Sequence, residues 1–140
     1  MNIQPYLYFD GRSQEAIDLY KSAIGATVEM VMYFKDAPAE MQSQIAPGMG
    51  DKIMHACIKV GDTPVFLSDG HCKGGTLQFQ GITLTINADS DAEAEKLFAA
   101  LGKGGQVQMP MTETFFATRF GMVADKLGVS WMVLNPKQLG

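Results

Sequence analysis

The second half of this chain repeats the first. Glu15-Ala16-Ile17-Asp18-Leu19-Tyr20 and Glu93-Ala94-Glu95-Lys96-Leu97-Phe98 both read Glu-Ala-x-x-Leu-aromatic. Gly25-Ala26-Thr27-Val28-Glu29-Met30 and Gly104-Gly105-Gln106-Val107-Gln108-Met109 follow in the same order as Gly-x-x-Val-x-Met. The offsets are 78 and 79 residues, so one residue is inserted between the two matches. Two matches in order mark a duplicated unit, and a duplication within 140 residues restricts each copy to one small supersecondary element.

Periodicity gives each copy the same reading. Ile3 to Phe9 has strand character, and Ala16, Leu19, Tyr20 and Ala23 then fall at helical spacing until Gly25 stops the helix. A strand from about Thr27 to Phe34 follows. In the second copy, Ile82 to Ile86 alternates apolar and polar residues as a half-buried strand does. Ser90-Asp91-Ala92-Glu93 reads as a capping box, and Ala94, Leu97, Phe98 and Leu101 line one helix face. Each copy closes with a hairpin: Lys52 to Val60 with Val65 to Ser68, and Thr118 to Val123 with Val129 to Leu134. The order is strand, helix and three strands, twice, an α+β fold of two βαβββ units. The expectation is a single domain over 1–140, made of units 1–69 and 81–136 joined by a linker 70–80.

Composition narrows the partners. The chain is 46% hydrophobic and 19% charged, which excludes a disordered tail or fibrous repeat. Its formal charge is −4 and no stretch concentrates Lys or Arg, so nucleic acid is not an expected partner. No apolar run approaches the ~20 residues of a membrane-spanning helix, so no membrane partner is expected. The N-terminal residues lack a secretory pattern, and a cytoplasmic location is the expectation. Cys57 and Cys72 form no Cys-x-x-Cys pair and read as free thiols. Ten methionines suit either an irregular core or an adaptable apolar pocket.

Particular stretches carry a resemblance. Pro5-Tyr6-Leu7-Tyr8-Phe9-Asp10-Gly11 leads into Ala16-Ile17-Asp18-Leu19-Tyr20, followed by Asp51-Lys52-Ile53-Met54-His55-Ala56, the block from Met109 to Met122, and Gly128-Val129-Ser130-Trp131-Met132. With the duplicated βαβββ unit, these resemble the vicinal oxygen chelate superfamily of glyoxalases, bleomycin-resistance proteins and dioxygenases, in its PhnB-like branch. The resemblance implies two units forming a curved mixed sheet, helices outside and a cavity inside, in a homodimer. Some members of the branch carry a demethylubiquinone methyltransferase label. The sequence gives that activity no support, because Gly102-Lys103-Gly104-Gly105 follows a helix and precedes a strand, the reverse of a nucleotide-type glycine turn.

Metal-using relatives hold a divalent ion with His or Glu on the first and last strands of each unit. Alignment through the two helices brings Pro5, Thr83 and Met132 to such positions, and Val65 to Ser68 offers no carboxylate. No metal and no cofactor are therefore expected. His55 and Cys57 share a strand face and His71-Cys72 begins the linker, but neighbouring side chains of extended chain point apart and chelate poorly.

If Pro5 and Met132 face the cavity, alternation adds Leu7, Phe9, Thr83, Thr85 and Ser130, and sends Tyr6, Tyr8 and Trp131 to the helix side. Met54, Met111, Phe116 and Arg119 complete the candidate ligand-binding set, and Glu113 and His55 are the candidate catalytic groups. The competing reading is a solvated Glu113 and an Arg119 paired with a neighbouring acid. The expected function is metal-free binding of an unidentified small molecule. The alternatives are a diverged lyase, isomerase or dioxygenase, or a protein acting through its surface with a collapsed cavity.

Overall fold

The structure is a computed structural model that describes residues 1–70, 72 and 74–138. The chain divides into two compact units, Met1–Thr76 and Leu77–Gly140. The predicted linker 70–80 includes positions 71 and 73, so that part of the reading, His71 included, lies outside the described residues.

Unit 1 runs β1 (Tyr6–Tyr8), α1 (Ser13–Ile24), β2 (Thr27–Tyr33), a short α2 (Ala39–Gln42), β3 (Ile53–Val60) and β4 (Thr63–Ser68). Its strands lie in the order β1-β4-β3-β2, with β1 parallel to β4 and the other pairs antiparallel. Unit 2 repeats the plan with β5 (Leu84–Asn87), α3 (Asp91–Gly102), β6 (Gln106–Thr112), β7 (Ala117–Ala124) and β8 (Ser130–Pro136). Its order is β5-β8-β7-β6, again with one parallel pair, β5 and β8. The strand–helix–three-strand repeat read from the sequence is present in both units. The connection from Phe34 to Asp51 carries a 3-10 turn at Phe34–Asp36 and α2.

Each unit is an amphipathic helix on one face of a four-stranded sheet. In unit 1, Ala16, Ile17 and Tyr20 of α1 are buried with Leu7, Phe9, Ala56, Ile58 and Leu67, and the Phe9 and Tyr20 rings lie 6.4 Å apart. Gly25 ends α1 at φ 69, a left-handed conformation that costs a β-carbon dearly and glycine nothing, and its N–H caps the Tyr20 carbonyl. In unit 2, Ala94 and Leu101 of α3 are fully buried, as are Val123 and Val133 of the sheet. Ser90 Oγ accepts from Glu93 N at 3.1 Å, as the capping motif requires, while the Glu93 carboxylate accepts from Asp89 N at 3.1 Å. Gly121 lies under the Phe98 ring, close enough that a Cβ would stand 2.7 Å from it.

One buried carboxylate ties each unit together. In unit 1, Asp69 accepts hydrogen bonds from Ser13 N (2.7 Å) and Ile53 N (2.6 Å), linking the start of α1 to the start of β3. In unit 2, Asp125 accepts from Leu127 N, Val129 N and Trp131 Nε1, closing the turn between β7 and β8. Buried acids are tolerated where backbone and ring donors satisfy them in this way.

Candidate functional site

The sheet face opposite α1 carries an aromatic cluster. Tyr6 and Tyr8 alternate outward from β1 and stack at 5.0 Å with an interplanar angle of 25°. Tyr6 pairs with Phe66 of β4, and the His55 and Phe66 rings lie 5.3 Å apart. The Tyr6 hydroxyl and His55 Nδ1 share a hydrogen bond of 2.9 Å. Burial, then the neighbouring Tyr8, pushes the Tyr6 phenol above its ordinary 10.0, against a smaller opposing hydrogen bond from Ser68. The phenol is therefore held in its neutral form.

Beside this cluster is a cavity of about 610 Å³. Its lining is Tyr6, Tyr8, Asp10, Phe34, Gln44, Ile45, Ala46, Met49, Met54, Ser68, Asp69 and Gly70, all within unit 1. Three segments build it. β1 supplies the tyrosines, the turn after β1 supplies Asp10, and the stretch between β2 and β3 supplies Phe34 and residues 44–49. That stretch is held by Gln42, whose Nε2 donates to the carbonyls of Phe34, Lys35 and Ala37 at 2.8 to 3.3 Å. Asp10 sits at φ 48 and Gly11 at φ 95, a left-handed pair that turns the chain sharply out of β1.

This turn corrects the strand phase expected for unit 1. Phe9 N donates to the Ser68 carbonyl as Ala88 N donates to the Leu134 carbonyl, so the strands correspond at an offset of 79. The helices correspond at 78, with Ala16 and Ala94 both fully buried. Unit 1 thus has one more residue between strand and helix, and a strand aligned through the helix slips by one position and turns over. Leu7 (5% exposed) and Phe9 (0%) are core beneath α1, and Tyr6 and Tyr8, expected on that side, take the open face. Two alternating tyrosines followed by Asp-Gly were the signal available in the sequence.

Unit 2 keeps the expected phase. Thr83 Oγ1 donates to Ser130 Oγ at 3.3 Å, Thr85 Oγ1 stands 4.0 Å from Met132 Sδ, and Trp131 is buried on the other side. Phe116, Met122 and Met132 pack against Ala117, Phe120 and Leu134 on the open face. Met111 does not join them, because its sulfur lies over Gly121 on the helix side. Arg119 also lies on the helix side, paired with Glu95 of α3 at 3.1 Å. Glu113 is exposed and paired with Lys137 at 2.9 Å. Of the candidate set, the structure brings Met54 to the cavity and His55 to the aromatic cluster, and Thr83, Thr85, Phe116, Ser130 and Met132 to the open face of unit 2.

The positions at which relatives hold a divalent ion do not fit one. Alternation puts Pro5 with Leu7, off the open face; Tyr6 takes that face and its oxygen is engaged by His55, and Thr83 and Met132 are weak donors. Among the described residues no three His, Cys, Asp or Glu side chains gather for a metal. Burial is the main cause that pushes both the Cys57 and Cys72 thiols upward, so neither is poised as a thiolate. Gly102 to Gly105 lies between α3 and β6, a helix-to-strand turn, as the sequence indicated.

The two four-stranded mixed sheets and their helices have the architecture of glyoxalase and bleomycin-resistance domains. With those two domains, at 17% and 14% identity, the likeness is one of fold. The chain belongs to the family described as 3-demethylubiquinone-9 3-methyltransferase, whose model matches residues 1–134. Protein YjdN of Escherichia coli K12 is 31% identical over 99% of this chain and 97% of its own. The crystal structure of PA1353 from Pseudomonas aeruginosa superposes with a TM-score of 0.84 at 40% identity, covering 99% of both chains. A PhnB protein from Bacillus cereus shares the fold with a TM-score of 0.78 at 22% identity, over 96% of this chain and 99% of that one.

Proposed function

We propose that the protein binds a small molecule in the cavity of unit 1, without a metal. The observation that carries this reading is the cavity itself: about 610 Å³, within the size range of small-molecule sites, lined by apolar and aromatic residues with a few polar groups among them. Stacked Tyr6 and Tyr8 offer a flat aromatic surface, Met49 and Met54 adapt to shape, and Ser68 and Asp10 supply polar contacts. Thermal-shift screening of the full chain against a metabolite library, with mass spectrometry of co-purified compounds, tests it. A ligand at 100 times its Kd raises stability by about 2.7 kcal/mol. That shift should vanish in Ala46→Trp, which fills the cavity. Stabilising compounds whose effect survives this substitution would place binding elsewhere, and a library without effect would remove the reading.

A second reading is an acid–base enzyme acting through His55. The Tyr6 hydrogen bond at 2.9 Å supports it by fixing the imidazole through Nδ1 and leaving Nε2 for a substrate. Turnover retained by His55→Gln would eliminate it. Methyl transfer, which the family's description mentions, finds no supporting feature in the glycine turn between α3 and β6.

A further inference from the structure

We infer that the open face of unit 1 carries a soft-metal site, in which Met30 and Met32 of β2 and His55 and Cys57 of β3 bind a copper(I) ion. The strand register puts these four residues together. Met30 pairs with Cys57 and Met32 with His55, and the ladder between them is regular, with Val31 opposite Ala56. Residues two apart on a strand share a face, and directly paired residues share it too, with Cβ atoms about 4.5–5.5 Å apart. Ala56 and Ile58 are buried beneath α1, so the four donors take the opposite, open face. Met30 and Met32 are exposed there, where an incoming ion can reach them.

The donor chemistry selects the ion. Among the described residues no third His, Cys, Asp or Glu gathers with His55 and Cys57. The thioethers of Met30 and Met32 therefore decide the set, and soft sulfur donors of this kind favour copper(I) over zinc, magnesium or calcium. The surroundings suit it. The 2.9 Å hydrogen bond between Tyr6 and His55 Nδ1 fixes the ring, and with Nδ1–H as donor the lone pair stands on Nε2, as in metal-bound histidines. Glu29, the extra residue at the bulge beside Met30, adds to burial in holding the Cys57 thiol up, and the same negative charge attracts a cation. Copper(I) displaces the thiol proton to solvent, so the net charge of the site is the same before and after binding. In unit 2, β6 and β7 pair Met109 with Met122 and Thr112 with Phe120, without Cys or His, so the site belongs to one copy alone.

The full chain, reduced and kept anaerobic, is titrated against copper(I) buffered by bicinchoninate, and metal transfer is read from loss of the coloured complex. The parent should take one ion per chain. Met30→Leu combined with Met32→Leu removes both thioethers at nearly constant volume and should weaken copper(I) by at least about tenfold. Cys57→Ser should abolish transfer and Cys72→Ser should leave it intact, with circular dichroism verifying that each variant is folded. Transfer that survives Cys57→Ser would put the copper elsewhere, transfer that survives loss of both methionines would reduce the site to a thiol, and no transfer to the parent would leave no site. Each of these overturns the inference. Ala46→Trp, which fills the cavity, should not alter transfer, so this outcome is independent of the ligand screen.

Discussion

The hydroxyl of Tyr6 on β1 meets Nδ1 of His55 on β3 across the strand that separates them, so their 2.9 Å hydrogen bond spans β4 above the ring of Phe66. Backbone pairing links only adjacent strands, whereas this clasp joins the edge of the sheet to its interior. It also lies where burial disfavours a phenolate.

The phenol of Tyr6 should therefore ionise above the ordinary tyrosine value of 10.0. The sign follows from linkage: an acid whose folded pKa is raised stabilises the fold fully below its unfolded pKa and loses that contribution as pH rises through the folded value. Ultraviolet titration at 295 nm should show Tyr6→Phe removing a component that ionises above 10.0, and loss of an ordinary component instead would contradict this.

Asp91 opens α3 and accepts hydrogen bonds from Thr118 Oγ1 and from Asn135 Nδ2, which hold its carboxyl below the usual 3.8. A depressed carboxyl stabilises the fold above its unfolded pKa and loses that effect as pH falls through the folded value. Asp91→Asn should lower Tm at pH 7, with the gap to the parent closing as the pH is taken below 3.8. A gap independent of pH would assign the effect to packing.

Asp125→Ala should destabilise unit 2 by about 3–5 kcal/mol, since it leaves three buried donors unpaired at roughly 1–3 kcal/mol each. Chemical denaturation measures the loss. The emission of Trp131, the sole tryptophan, should shift to the red as its indole N–H loses its acceptor.

Two glycines resist substitution to different degrees. A Cβ at Gly121 would meet the Phe98 ring at 2.7 Å, and a ring can turn aside, so Gly121→Ala should cost about 1–3 kcal/mol. A Cβ at Gly105 would stand 2.1 Å from the Ala124 carbonyl oxygen, which belongs to the backbone of β7. Gly105→Ala should cost more than Gly121→Ala in urea unfolding, and the reverse order would show that this backbone yields.

What could be read from the sequence was whatever local chemistry writes down. The helix faces of Ala16 to Tyr20 and Ala94 to Leu101, the Ser90 cap and the two closing hairpins all follow from spacing and turn residues. The open face of unit 2 was legible for the same reason, because its strand and helix follow one another without an irregular turn. The cavity was not. It depends on Asp10 adopting a positive φ, which no periodicity reports, and on Gln42 shaping the segment that carries Met49. Glu113 and Arg119 drew attention as charges among phenylalanines, but ion pairs with Lys137 and Glu95 account for both.

The extra residue at the Asp10–Gly11 turn bears on how the two copies can evolve. A genetic crossover guided by the matching helices and falling within the first strand would join the copies one residue out of phase, exposing the position of Leu7 and burying that of Tyr8. Such recombinants would turn the first strand over, so exchange that would keep the copies alike would cost stability. Tyr6 and Tyr8 in one copy, and Thr83 and Thr85 in the other, are thereby released to diverge as separate surfaces.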